Sequence, residues 1–199
     1  MSLMLVFSLV LSYLLGSIPN GLWLGRGLWH TDLRKYGSHN TGATNAWRTL
    51  GKFPGFLIFF LDMLKGLVSV WIGSVLVGTP AAMILCGILA IVGHSLSIFM
   101  QFHGGKGVAT GLGVILMLMP VPTAIVFLVW LGIVAVTRYV SLGSIVAAAL
   151  VPVFAWLFGY SGEYIAFGVL AALLIIVRHH ANIGRLLSGT ESKIQAGHR

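Results

Sequence analysis

The sequence predicts an all-α, polytopic integral membrane protein of seven transmembrane helices, with the N-terminus outside and the C-terminus in the cytoplasm. Three observations carry that expectation. The residues are 58% hydrophobic and only 8% charged, whereas a water-soluble surface needs roughly a quarter charged. Apolar runs of spanning length recur with short polar intervals between them. Lysine and arginine gather on alternate intervals, as the positive-inside rule requires. The 199 residues are taken up by these runs, so one membrane-embedded domain, 1–199, is expected.

The spans are expected near 3–25, 53–77, 81–101, 107–119, 121–137, 141–159 and 162–180. The first lacks a basic leading region and a small-residue cleavage site, so it reads as a retained helix rather than a signal peptide. Asp62 and Lys65 stand at i, i+3 in the second, where each offsets the other's burial cost, and they read as a structural ion pair rather than catalytic groups. The third contains Cys86, the only cysteine, so an internal disulfide or cysteine metal cluster is excluded.

Residues 107–137 are either one long tilted helix or two shorter ones broken at Pro120 and Pro122. Charge decides between them. With two helices, Arg26, Arg34, Lys35, Arg48, Lys52, Lys106, Arg138, Arg178, Arg185, Lys193 and Arg199 share one side, and the loops at 78–80, 120–122 and 159–163 carry no Lys or Arg. A single helix would send the basic tail outside. The net charge of +8 therefore reads as cytoplasmic loops facing anionic lipid headgroups. Nucleic acid is a poor partner, because the cations are split among short loops rather than gathered in one stripe.

Chemistry concentrates in three polar intervals on that basic side. The first holds Gly37-Ser38-His39-Asn40-Thr41-Gly42-Ala43-Thr44-Asn45-Ala46-Trp47-Arg48. Thr41 or a neighbour is expected to cap a short helix from Ala43 to Leu50. Thr44 and Arg48 would share a face of that helix. Ser38, Asn40, Thr44 and Asn45 beside Arg48 make an anion-binding surface, with a planar fork for phosphate oxygens and hydroxyl or amide donors around it. A capped loop with a positive-inside arginine is the plainer alternative.

The second interval runs from Gly93-His94 to Phe102-His103-Gly104-Gly105-Lys106-Gly107-Val108-Ala109-Thr110. Glycines ahead of an apolar helix let backbone N–H groups approach a ligand, the helix N-terminus adds partial positive charge, and Lys106 adds a full one. The spacing is not that of a Walker A loop, so nucleotide hydrolysis does not follow. A glycine turn with a snorkelling lysine is again the alternative.

In the third interval, Arg178-His179-His180-Ala181-Asn182-Ile183-Gly184-Arg185-Leu186, His179 and Asn182 would share a helical face. Adjacent histidines point in different directions on a helix, and no carboxylate cluster stands near them, so no metal site is expected. The only acids are Asp32, Asp62, Glu163 and Glu191. With Glu163 expected on the far side of the membrane, that disfavours two-carboxylate acid/base chemistry, and Ser38 lacks a nucleophile-elbow context. The remaining donors suit substrates with much negative charge and a good leaving group.

Taken together, the intervals resemble the bacterial acyl-phosphate:glycerol-3-phosphate acyltransferases, the PlsY family, over essentially the whole chain. The matching residues are Gly37-Ser38-x-Asn40-x-Gly42-Ala43-Thr44-Asn45 with Arg48, Gly93-His94 with Gly104 through Thr110, and Arg178-His179-x-x-Asn182-Ile183-x-Arg185-Leu186 with Gly189 and Glu191. Thr41 and Ser97 stand where the family usually has proline, and His103 where it commonly has lysine. The resemblance implies transfer of a fatty acyl group from acyl phosphate to the 1-hydroxyl of glycerol 3-phosphate, giving lysophosphatidic acid and phosphate, without a cofactor or metal.

It also implies a bacterial plasma (inner) membrane protein whose active site faces the cytoplasm, partnered by membrane lipids and by the soluble enzyme that makes acyl phosphate. Ser38, Arg48, Lys106, His179 and Asn182 are the implied catalytic residues. Arg48 and Lys106 meet substrate phosphates, Gly104, Gly105 and Gly107 offer backbone contacts, and Ser38, His179 and Asn182 orient the acceptor or stabilise the oxyanion. His94, Ser141 and Ser144 are further substrate-binding candidates, and Glu191 is expected to brace the tail through an arginine. No histidine is followed five residues later by aspartate, which disfavours the His-x4-Asp class of acyltransferase. A small anion transporter or channel and a membrane acyl-phosphate hydrolase are the alternatives. Against the transporter stand the lack of internal repeats and the one-sided motifs.

Overall fold

A computed structural model describes residues 2–194, and their regular structure is helical throughout. Arg199, assigned above to the basic side, lies outside the described residues. The helices fall into two compact units, one of residues 2–117 and one of Leu118–Ile194.

In the first unit, the expected span 3–25 is two helices, α1 (Leu3–Ser17) and α2 (Asn20–Trp29), bent by 43° at Ile18-Pro19. Pro19 has no N–H to continue the ladder. After a 3-10 turn at Leu33–Lys35 come the short α3 (Ala43–Leu50), the 25-residue α4 (Lys52–Leu76), α5 (Pro80–Ser95), a 3-10 turn at Ile98–Met100, and α6 (Val108–Leu118). α5 begins as its sequence requires, with Pro80 in the first turn and the Thr79 hydroxyl accepting from the Ala82 N–H.

α4 shows the sorting expected in lipid rather than water. Phe53, Phe56, Phe60, Leu64 and Trp71 are exposed, while Gly55, Asp62, Lys65, Gly66, Ser69 and Gly73 are buried. Small residues let neighbouring backbones approach closely. A Cβ on Gly66 would run into the Thr110 carbonyl of α6, one on Gly113 of α6 into Met63, and one on Gly16 of α1 into Ala90 of α5. Hydroxyls complete the contacts, with Ser97 donating to the Ser17 carbonyl at 2.5 Å and Tyr13 to Leu96 at 2.8 Å. Ser97 has φ −66°, a value proline also takes, so the departure from the family's proline keeps the turn.

The second unit holds α7 (Pro120–Thr137), α8 (Val140–Leu157), α9 (Gly162–Arg178) and α10 (His180–Leu187). α7 packs on α8 and α8 on α9, where Gly168 brings α9 against the Pro152 backbone. The doubtful stretch 107–137 is two helices, as charge predicts, and the break falls at Met119, immediately before Pro120. Pro122 sits in the first turn of α7, where a missing N–H costs little.

By length and composition, Lys52–Leu76, Pro80–Met100, Pro120–Thr137 and Val140–Leu157 can each cross a membrane, and the bent pairs α1–α2 and α9–α10 bring the number to as many as six. α6 is the exception among the seven expected segments. Its 11 residues rise about 16 Å, roughly half the ~30 Å hydrocarbon core. The last expected span also ends early, because the chain turns by 62° at His179 and Arg178 and Asn182 fall on different helices.

Candidate active site

The first polar interval is a knot built around two side chains. Asp32 caps the 3-10 turn by accepting from the Arg34 N–H at 3.1 Å, takes the Arg34 guanidinium at 2.8 and 3.0 Å, and takes Arg26 at 2.7 Å. Hydrogen bonds from Arg34, opposed by desolvation and helped by Arg26, hold the Asp32 carboxyl well below the usual carboxylate range. Leu33, fully buried, anchors the turn against Ala46 and Ile58.

The other hub is Asn45. Its Oδ1 accepts from the Ser38 N–H at 2.9 Å, and its Nδ2 lies 3.0, 3.0 and 2.8 Å from the carbonyls of Leu33, Tyr36 and Asn40. Gly37 adopts φ +57° where a Cβ would strike that Oδ1. Asn40 turns its own Oδ1 to the Gly42 N–H at 2.8 Å. Both asparagines, expected at a substrate, are thus engaged with the loop's backbone. The short helix runs from Ala43 to Leu50 as expected, and its N-cap is Gly42, the neighbour of Thr41, which supplies no side-chain hydrogen bond. This scaffold leaves Ser38 exposed and sets Thr44 and Arg48 half-buried on α3, with Arg48 in the last turn, where the helix dipole favours a cation.

The second interval folds back onto α5. The Gly104 and Gly105 N–H groups donate to the Ser95 and His94 carbonyls, both at 3.0 Å. A Cβ on Gly105 would strike the His94 ring, and one on Gly104 the His94 carbonyl. These glycines therefore seat the loop, and the positive end of α6, preceded by Lys106 and by Gly107 at φ +79°, is the stronger place for an anion.

Beneath both loops lies a buried polar cluster that the sequence reading did not assemble. Asp62 Oδ1 accepts from Lys65 at 3.1 Å and from Asn20 at 3.0 Å, and His94 Nδ1 lies 3.8 Å away. Lys65 also donates to the Ile18 carbonyl at the α1–α2 break, at 2.8 Å. Thr41 and Gly105 line the narrow cleft above these groups. The signal was available as Asn20, a polar residue after proline within an apolar run.

In the second unit, Glu191 gathers the third interval. Its Oε1 accepts from Ser141 and Asn182, each at 2.7 Å, and its Oε2 from Arg185 at 2.7 Å. The expected brace to an arginine is present, and it also fixes Asn182. Burial pushes the Glu191 carboxyl up, but the three donors outweigh it and hold it below the ordinary value. His179 is buried at the bend, where its Nδ1 donates to the Ile175 carbonyl at 2.8 Å. Ser144 does not join this group. Its hydroxyl donates to Val140 and accepts from Trp130 at 3.3 Å, a contact of α7 with α8.

The family model described as glycerol-3-phosphate acyltransferase matches residues 6–189. Curated relatives of that name include one from Carboxydothermus hydrogenoformans, 44% identical over 191 residues, which are 96% of this chain and 97% of the relative. Another, from Syntrophomonas wolfei, is 48% identical over 186 residues, 94% and 95% of the two chains. The fold is similar to the crystal structure of PlsY (YgiH), an integral membrane glycerol 3-phosphate acyltransferase, in its glycerol 3-phosphate form, at 42% identity and TM-score 0.91 over 96% of each chain. The lysophosphatidic acid form of that enzyme gives 40% identity and TM-score 0.89, again over 96% of each chain.

Proposed function

The chain belongs to the glycerol-3-phosphate acyltransferase family, and we propose that it moves a fatty acyl group from acyl phosphate to the 1-hydroxyl of glycerol 3-phosphate. The acceptor oxygen forms a bond to the acyl carbon, the bond from that carbon to the phosphate oxygen breaks, and the hydroxyl proton passes to a phosphate oxygen. Lysophosphatidic acid and phosphate are the products. The observation that carries this reading is the set of donors at the first two motifs, cations and N–H groups at Arg48, Lys106 and the α6 N-terminus, with no paired carboxylates for acid/base work among the four acids of the sequence. Such donors act by positioning phosphates and by stabilising the charge that develops on the carbonyl oxygen.

Arg48 and Lys106 take the substrate phosphates. His179, Asn182 and Ser38 orient the acceptor hydroxyl or stabilise the oxyanion. Asn40 and Asn45 act one step back, by shaping the loop that presents Ser38 and Arg48.

The apolar helices suit a donor whose acyl tail lies in lipid. We infer seven membrane segments, α6 being the short one, with the motifs on the cytoplasmic face of a bacterial inner membrane. That topology keeps the basic intervals together. The donor is tested by supplying purified protein and glycerol 3-phosphate with acyl phosphate, acyl-CoA or acylated acyl carrier protein in turn. Product should form from acyl phosphate alone, and comparable rates from a thioester would overturn the donor assignment.

A further inference from the structure

The Asp62–Lys65 pair occupies a place that a mere filler of an apolar bundle does not require. It sits where α1 breaks into α2, with Lys65 on the carbonyl of Ile18, the C-cap of the first helix, and Asp62 on Asn20, the first residue of the second. Each charge thus faces the helix end of opposite sign. From this point two short paths lead to the phosphate motifs. Gly21 follows Asn20 and packs so closely on the Thr41 carbonyl that a Cβ could not be placed there. Across the cleft, His94 approaches Asp62 with its ring and carries Gly105 on that same ring and on its carbonyl.

We propose that Asp62 is a positioning residue for the acceptor site, acting through Asn20 on the Thr41 loop and through His94 on the Gly104–Gly107 loop. The inference rests on the acyltransfer reading, in which those loops carry Arg48 and Lys106. Asp62 touches neither substrate. It holds the two phosphate-bearing loops at one spacing, as supporting groups do when a site must be fixed to a fraction of an ångström. A purely structural ion pair would affect folding and leave acceptor affinity alone.

The test separates those roles. Asp62→Asn by itself strands the Lys65 charge, which can prevent folding, so the informative variant is the charge-balanced pair Asp62→Asn with Lys65→Met. His94→Gln is the second, since it leaves Asp62, Lys65 and Asn20 in place. Both should raise KM for glycerol 3-phosphate by roughly tenfold, the scale of coupling between contacting residues, with kcat and the thermal midpoint nearly unchanged. Combined, they should give little more than the Asp62–Lys65 change alone, because His94 lies on one of the two paths that start at Asp62. Wild-type KM in either variant, or fully additive losses, overturns the proposal. Binding of glycerol 3-phosphate without donor, measured calorimetrically on the same proteins, reads the loops apart from the reaction. Wild-type protein that binds the acceptor but transfers no acyl group would refute the functional reading, while weakened binding in the variants would still support the positioning role.

Discussion

Replacing Glu191 with alanine removes one carboxylate and strands three donors, which makes its cost calculable. The Glu191 side chain is 4% exposed, and the Ser141 and Asn182 donors, in residues 6% and 5% exposed, each sit 2.7 Å from Oε1. A buried hydrogen bond to a charged group contributes about 1.5–3 kcal/mol. The Arg185 side chain is 40% exposed, so its pair adds at most about 1 kcal/mol. Glu191→Ala should therefore destabilise by about 3–7 kcal/mol and release Asn182, lowering kcat on the order of tenfold or more. Glu191→Gln keeps an oxygen for Ser141 and Asn182 and loses mainly the Arg185 contact, so it should stay within about 2 kcal/mol of wild type.

The same carboxylate gives a pH signature. Its folded pKa lies below the ordinary value of 4.5, so its stabilisation is complete above that value and is lost as pH falls through the folded pKa. The assay is thermal unfolding in detergent at pH 7 and at acid pH, with acyl transfer measured alongside at pH 7. Wild type should lose more stability on acidification than Glu191→Gln. An alanine variant as stable and active as wild type would refute the assignment of Glu191 as the hub that fixes Asn182.

Three further outcomes follow from the same geometry. Arg48→Ala should lower kcat/KM by on the order of a hundredfold, the loss expected when a charge-assisted partner is taken from a shielded phosphate, with folding intact by circular dichroism. Gly105→Ala drives a methyl into the His94 ring, so steady-state kinetics should show a raised KM for glycerol 3-phosphate and a kcat close to wild type. Cysteines placed by Thr79→Cys and Ser192→Cys should label from opposite faces of sealed vesicles, and labelling from one face would refute the seven-segment topology.

Much of the fold was legible because lipid imposes simple rules. Each expected segment is helical, the break in 107–137 followed from charge, and Pro120 marks it to within a residue. What escaped was three-dimensional. No spacing rule says that Asn45 would turn its whole amide onto carbonyls of its own loop, because that contact depends on how Leu33 packs against Ala46 and Ile58. The bend at His179 was hidden as well, since the flanking residues are helix formers and the turn carries neither proline nor glycine. Asp62 and Lys65 were recognisable as a pair from their i, i+3 spacing. Their link to His94 and Gly105 required knowing that α4, α5 and the glycine loop meet at the α1–α2 break.

The most direct measurement is product analysis of purified protein given acyl phosphate, with and without glycerol 3-phosphate, using mass spectrometry for lipids and a phosphate assay. Acyl transfer predicts that lysophosphatidic acid and phosphate appear together in equal amounts, and only when the acceptor is present. Release of free fatty acid and phosphate at the same rate without glycerol 3-phosphate would contradict the account and identify a hydrolase.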